Sequence, residues 1–276
     1  MGTLQFGIST SCYYPLLTEE AVRRLVEAEV DCAEIFINSD SELSGSCFAE
    51  MRRILAAGRT KVLSLHPFTS GLEPLLFFSE YERRFLDGVE YYKRFFHAAA
   101  ELGARYLVIH GDKSEDPATE GRYLDRYYRL NQAAKSFGVM LAQENVSRCR
   151  GRSPEFLARM KAALGDDAVF VLDFKQARRA GVDYRQLLRL LGTSVVHLHI
   201  SDWAGAEDCL PVGKGSMDFS ALLKDLESAD YSGGVILELY RRNYGGYDEL
   251  LASYDYMKRL AAQGLTCADR KIVVSW

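Results

Sequence analysis

Short runs rich in β-forming residues alternate along the chain with longer stretches in which apolar residues recur at helical spacing. The short runs are LQFGIS (4–9), CAEIFI (32–37), KVLSLH (61–66), RYLVIH (105–110), VMLAQE (139–144), VFVLDF (169–174), VVHLHI (195–200) and GVILEL (234–239). The helical stretches include TEEAVRRLVEAE (18–29), SEYERRFLDGVEYYKRFFHAAAELG (79–103) and TEGRYLDRYYRLNQAAKSFG (119–138). Thr18, just before two glutamates, is expected to cap the first helix. Asp218 is expected to cap DFSALLKDLESA, and Ser153 with Pro154 to open SPEFLARMKAAL. Gly103 and Gly138 stand where helices must stop before strands.

Strands alternating with helices predict a parallel sheet. Eight such strands predict its closure into a (β/α)8 TIM barrel of the α/β class. A length of 276 residues suits one such domain over 1–276, since the fold takes about 250. The open doubly wound alternative lacks its usual mark, because no GxGxxG follows the first strand. No linker-like shift in composition interrupts the chain. The tail RKIVVSW (270–276) is compatible with an extra strand or a docking segment.

Composition narrows the partners. Apolar residues make up 48% and charged residues 26%, as in ordinary globular proteins. The net charge of −4 and pI near 5.8 argue against a nucleic-acid partner. The six cysteines form no CxxC pair and no zinc-knuckle spacing. The start MGTLQFGIST lacks the pattern of a signal peptide. No stretch approaches the roughly 18 apolar residues of a membrane span. A cytoplasmic location with free thiols is the expectation.

Candidate chemistry lies where the strands end. Strand two carries Glu34. Strands three, four and five end at His66, His110 and Glu144; strand six carries Asp173, strand seven His197 and His199, and strand eight Glu238. In a parallel barrel these ends share one mouth, where barrel active sites lie. A lone histidine or glutamate at such a place more commonly satisfies a hydrogen bond than binds an ion. Ionisable groups gathered together are costly to bury unless paired or bound to metal. The set therefore points to a cation, and imidazole with carboxylate suits Mn2+, Co2+, Mg2+ or Zn2+. His197, one layer deeper than His199 on the same strand face, is left outside the metal sphere.

Taken with AEIF (33–36), LSLHPF (63–68), YLVIHGD (106–112), LAQEN (141–145), VLDFKQA (171–177), HLHISD (197–202), VGKGSMDF (212–219) and ILELY (236–240), these residues make the chain resemble a known family. It resembles the xylose-isomerase-like barrels, the sugar-phosphate isomerase/epimerase group that shares its fold with the endonuclease IV type. The resemblance implies one divalent metal ion held by Glu144, Asp173, His199 and Glu238. It also implies that Glu144 and Glu238 are the catalytic acid/base pair on either side of a sugar. Gln176 stands where the trinuclear nucleases, and many epimerases, have histidine. Glu207, Asp208 and Cys209 replace the nuclease Asp-x-His pair. Two histidines of a three-zinc site are thus absent, which argues against such a nuclease, and Gln176 departs from a standard ketose 3-epimerase.

His66 and His110, at positions of outer nuclease metals, are assigned to substrate, as is Gln176. Trp203 is placed to stack on a sugar face, and Lys113 or Arg241 to bind a phosphate or carboxylate. The expected function is a metal-dependent isomerase or epimerase acting on a sugar, sugar phosphate or polyol-derived small molecule, through proton transfer beside a carbonyl and an enediolate. The alternatives are an inosose-dehydratase-type lyase and a non-catalytic sugar-binding barrel. Neither a nucleic-acid nor a membrane partner is expected, and a homo-oligomer is left open.

Overall fold

The computed structural model describes residues 4–116 and 119–269; the tail 270–276 lies outside the described residues. The apolar runs become strands β1 (Gln5–Ser9), β2 (Cys32–Ile37), β3 (Lys61–Pro67), β4 (Tyr106–Ile109), β5 (Met140–Glu144), β6 (Val169–Asp173) and β7 (Val195–Ile200). A small antiparallel hairpin follows, β8 (Asp202–Ala204) with β9 (Glu207–Leu210), and then the last barrel strand, β10 (Gly234–Leu237). The barrel closes in the order β1-β10-β7-β6-β5-β4-β3-β2, every pair parallel. All eight C-terminal ends therefore open on one face, and β10, β7, β6 and β5 are contiguous there.

Helices α1 (Thr18–Glu27), α2 (Gly45–Ala57), the single turn α3 (Glu73–Leu76), α4 (Glu82–Glu101), α5 (Glu120–Lys135), α6 (Pro154–Leu164), α7 (Phe174–Arg179), α8 (Tyr184–Leu191), α9 (Phe219–Ser228) and α10 (Tyr247–Asp269) connect the strands. Each amphipathic helix buries its apolar stripe. On α4 the buried set is Phe85, Tyr92, Phe95, Phe96, Ala98 and Ala99. These meet Phe77, Phe78, Tyr123 and Tyr127, all buried. Burying a large apolar side chain contributes about 2 kcal/mol, so this aromatic layer anchors the β3–α5 side of the barrel. No helix of the described residues is long and apolar enough to cross a membrane. Cys12, Cys32, Cys47, Cys149 and Cys209 are free thiols.

Asp218 and Ser153 cap their helices as expected, accepting from Ala221 N and Phe156 N. Gly103 and Gly138 take φ of 79° and 77°, the left-handed conformation that ends a helix. Thr18 differs from expectation. The cap position belongs to Leu17, with no side-chain bond, and Thr18 is the first helical residue. Its hydroxyl accepts from Asn38 Nδ2 at 2.9 Å and donates to Phe36 O at 3.5 Å. It thus fastens the helix to the end of β2 instead of capping the helix. The segment 79–103 narrows to α4, and the turn α3 precedes it. The expected strands 105–110 and 234–239 shorten to 106–109 and 234–237, placing His110 and Glu238 in the loops just beyond β4 and β10.

Candidate metal centre and active site

Glu144 ends β5, Asp173 ends β6, His199 lies on β7, and Glu238 follows β10. The register pairs Asp173 with His199, and His199 with Ile236 two residues before Glu238. One potential ligand atom from each of the four lies within 4.8 Å of the others. His199 Nδ1 stands 3.6 Å from Glu238 Oε2, 3.9 Å from Glu144 Oε1 and 4.0 Å from Asp173 Oδ2. An ion with ligand distances of about 2.0–2.3 Å keeps its ligands roughly 3–4 Å apart. Asp173 Oδ2 and His199 Nδ1 are buried and have no hydrogen-bond partner. Buried polar atoms are seldom left this way, so the donor set fits a cation.

The electrostatics agree. Burial pushes Asp173 up to about 7; Lys175 opposes the rise, and Glu238 and Glu144 add to it. Burial alone would lower His199, but Glu34, Glu238 and Glu144 outweigh it and lift His199 to about 10. An acid that resists ionisation beside a base that holds its proton marks a shortage of positive charge. Glu144 behaves differently. Its burial is outweighed by His110, His66 and His199, which hold it well below the usual carboxylate range. Glu238 is also held down against burial, by Lys175 and His199.

Beneath His199 sits a fully buried polar layer. Glu34 Oε2 lies 3.0 Å from His199 Nε2 and 3.3 Å from His197 Nε2. Ser64 Oγ donates to the same oxygen at 2.9 Å, and Ser9 Oγ donates to Oε1 at 3.2 Å. A carboxylate accepting at Nε2 places the His199 proton there and turns the Nδ1 lone pair toward Asp173 and Glu238. This is how an outer carboxylate orients an imidazole ligand. Burial would raise Glu34, but His199 and His197 reverse the effect and hold it low. His197, placed outside the metal sphere on sequence grounds, lies in this lower layer, with Nε2 3.1 Å from His199 Nε2.

His66 and His110 flank the centre from β3 and the end of β4. Their Nε2 atoms are 3.0 Å apart, and His110 Nε2 is 2.9 Å from Glu144 Oε2. His66 stacks on Phe36, with centroids 4.8 Å apart. Both histidines thus face the oxygen of Glu144 opposite the one turned to His199. Glu73, a residue the sequence reading passed over, sets the end of β4. Its Oε2 accepts from His110 N at 2.8 Å and Gly111 N at 2.7 Å.

Residues 22–260 match the family model of the xylose isomerase-like TIM barrel. The chain belongs to this family. It is 27% identical to an uncharacterized protein of Mycobacterium leprae over 260 residues, covering 86% of this chain and 89% of that one. The crystal structure of a D-tagatose 3-epimerase-like protein superposes with a TM-score of 0.78 at 21% identity, covering 98% of this chain and 100% of that one. The IolI protein with a bound zinc atom superposes with a TM-score of 0.71 at 18% identity, covering 94% and 96%. At these identities the two structures share the fold.

Within this xylose isomerase-like barrel the remaining expected residues are not all equally placed. Gln176 has its backbone N–H on the Asp173 cap, and its Oε1 accepts from Ser147 N and Oγ at 3.0 and 2.8 Å. It braces the loop after β5. Trp203 lies in the β8–β9 hairpin under Arg178, 5.4 Å from the ring. Lys113 is exposed beyond β4. Arg241 donates to Tyr244 O and Gly245 O at 2.8 and 3.3 Å and lies over two tyrosine rings, so its donors serve its own loop. One residue absent from the expected set lies at the centre itself. Lys175 is buried, with Nζ 2.8 Å from Glu238 Oε2 and 3.3 Å from Asp173 Oδ2. Its sequence signal was a lysine set between the strand-ending LDF and the first turn of a helix.

Proposed function

We propose that this chain is a divalent-metal-dependent isomerase or epimerase of a sugar or sugar phosphate, working by proton transfer beside a carbonyl. The observation that carries the reading is the meeting of Glu144, Asp173, His199 and Glu238 around two buried, unpartnered donor atoms. The proposed ligands are those four residues, for one ion drawn from Mn2+, Co2+, Mg2+ or Zn2+. When bound, the ion would supply Lewis-acid stabilisation of charge developing on substrate oxygen. Glu144, ionised and flanked by His66 and His110, takes the proton from the carbon beside the carbonyl. Glu238 returns one from the other side, and the roles exchange in the reverse direction. His66 and His110 hold substrate hydroxyls, with Gln176, Trp203, Lys113 and Arg241 contributing from the surrounding loops. Similarity of fold to a D-tagatose 3-epimerase-like protein supports the choice of a sugar.

The test is incubation with a panel of ketoses, keto-sugars and inososes in deuterated water with Mn2+, followed by mass spectrometry. A working enzyme leaves solvent deuterium beside the carbonyl, and Glu144→Gln or Glu238→Gln lowers turnover by at least roughly 100-fold. Near-normal turnover by both variants would remove the acid/base assignment. A product lighter by one water moves the reading to a dehydratase. Failure to turn over any candidate, with tight sugar binding retained, moves it to a binding barrel.

A further inference from the structure

Lys175 is the second residue of α7, immediately after Asp173 caps that helix through Gln176 N. Its side chain is 3% exposed and its ammonium meets the candidate ligand atoms Glu238 Oε2 and Asp173 Oδ2. The contact with Asp173 is an ion pair without hydrogen-bond geometry, which is why that oxygen is still unpartnered. Nζ also lies 4.7 Å from the centroid of the Tyr240 ring. Tyr240 is itself fixed, since its hydroxyl meets Arg179 Nη1 at 3.1 Å and its backbone N–H donates to Cys209 Sγ at 3.3 Å. The ammonium is therefore held by a box of two carboxylates and an aromatic face. A lysine normally keeps its head in water, so this burial is a specific arrangement.

We propose that Lys175 is a built-in counter-cation that competes with a divalent ion for Asp173 and Glu238 and so sets how tightly the centre binds that ion. The proposal rests on reading Glu144, Asp173, His199 and Glu238 as the ion site. Charge accounting favours it. Three carboxylates against a divalent ion leave one negative charge, and the ammonium cancels it. Both cations need the same two oxygens. Like charges about 4 Å apart lower affinity by roughly 30-fold even at the dielectric of water. Lys175 thus keeps the carboxylates together as a positioning residue, weakens ion binding, and makes ion exchange faster than three carboxylates alone would allow.

The test compares chelator-stripped wild type, Lys175→Met and Lys175→Arg in Mn2+ titrations against a competing chelator. Lys175→Met, which keeps the apolar stem, should bind Mn2+ at least ~10-fold tighter. Its thermal midpoint without Mn2+ should fall, and Mn2+ should raise it by more than in wild type. Lys175→Arg, which keeps the charge, should stay within about threefold of wild type. A purely structural lysine predicts unchanged or weaker binding by Lys175→Met, and that result overturns the proposal while leaving the ion site standing. If neither protein binds Mn2+ or Zn2+, the ion-site reading falls and the proposal with it. Should Lys175→Met fail to fold, wild type labelled with 15N-lysine answers the same question. Zn2+ should shift the protected ammonium signal, identified by its loss in Lys175→Arg, and an unmoved signal overturns the proposal.

Discussion

Replacing Glu34 by Gln tests whether the buried layer below the centre orients His199. The substitution keeps shape and removes charge from a site that is 0% exposed. At 3.0 Å from His199 Nε2, the Coulomb attraction is about 5 kcal/mol at an effective dielectric of 20. Desolvation of the carboxylate offsets part of it, and Ser9 and Ser64 retain an oxygen to donate to. The net loss of stability is therefore expected to be roughly 2–4 kcal/mol. The loss also has a pH signature in chelator-stripped protein. Folding lowers the Glu34 pKa from 4.5, so its contribution is present above 4.5 and is lost as pH falls. Folding raises His199 from 6.5 to about 10, so that contribution is complete below 6.5 and is lost as pH rises toward 10. The difference between wild type and Glu34→Gln should peak between pH 4.5 and 6.5 and shrink on both sides. Urea unfolding at pH 5.5, 7.5 and 9 measures it. Divalent-ion affinity should fall roughly 10–100-fold, as for other outer-sphere carboxylates. Wild-type stability and wild-type ion affinity in the same variant would refute the orienting role.

Two other perturbations probe the supports of the mouth. Glu73→Gln retains an oxygen for His110 N and Gly111 N but cannot ionise; because burial lifts Glu73 from 4.5 to about 8, wild-type stability should decline as pH rises between those values. The variant should gain about 3 kcal/mol over wild type between pH 5 and pH 7, and a pH-independent difference in urea unfolding would exclude a buried neutral Glu73. Gly111→Ala places a Cβ at φ 84°, 2.2 Å from the Tyr123 hydroxyl that donates to Gln143. Thermal unfolding should show a loss of roughly 2–4 kcal/mol, and an unchanged midpoint would mean that Tyr123 moves freely.

Much of this architecture was readable in the chain because eight apolar runs and their helical intervals are long-period signals, insensitive to one or two residues at a boundary. The strand ends were less secure. His110 and Glu238 were read as strand residues, yet they follow β4 and β10 in loops. Their side chains still reach the mouth because parallel strands deliver every following loop there. Thr18 was misread because a threonine before two glutamates fits a cap locally, and only the three-dimensional neighbour Asn38 claims its hydroxyl. Glu34 was visible as a charge inside CAEIFI, and a buried charge demands a partner, but the partner is on a strand 165 residues away. Lys175 and Glu73 gave no periodic signal at all. Each sits in the first turn of a helix, where a charged residue is ordinarily solvated.

The arrangement of the mouth explains why such a barrel can keep its chemistry while its loops vary. The four candidate ligands come from four contiguous strands, β5, β6, β7 and β10, while His66 and His110 come from the adjoining β3 and β4. Glu144, at the seam, shows one oxygen to each group. An acid placed there feels the histidines on one side and the ion site on the other, which is what keeps it ionised although buried. The loops add a second set of groups, Lys175, Gln176 and the β8–β9 hairpin, which leave the strand positions untouched. Gln176 offers a neutral brace where a histidine is expected from related barrels, and Lys175 adds a positive charge one residue before it. The pair moves charge from a titratable ring at the edge of the centre to a fixed ammonium inside it. Within the proposed reaction, that shift would change how strongly the ion is held while leaving Glu144 and Glu238 to handle the proton.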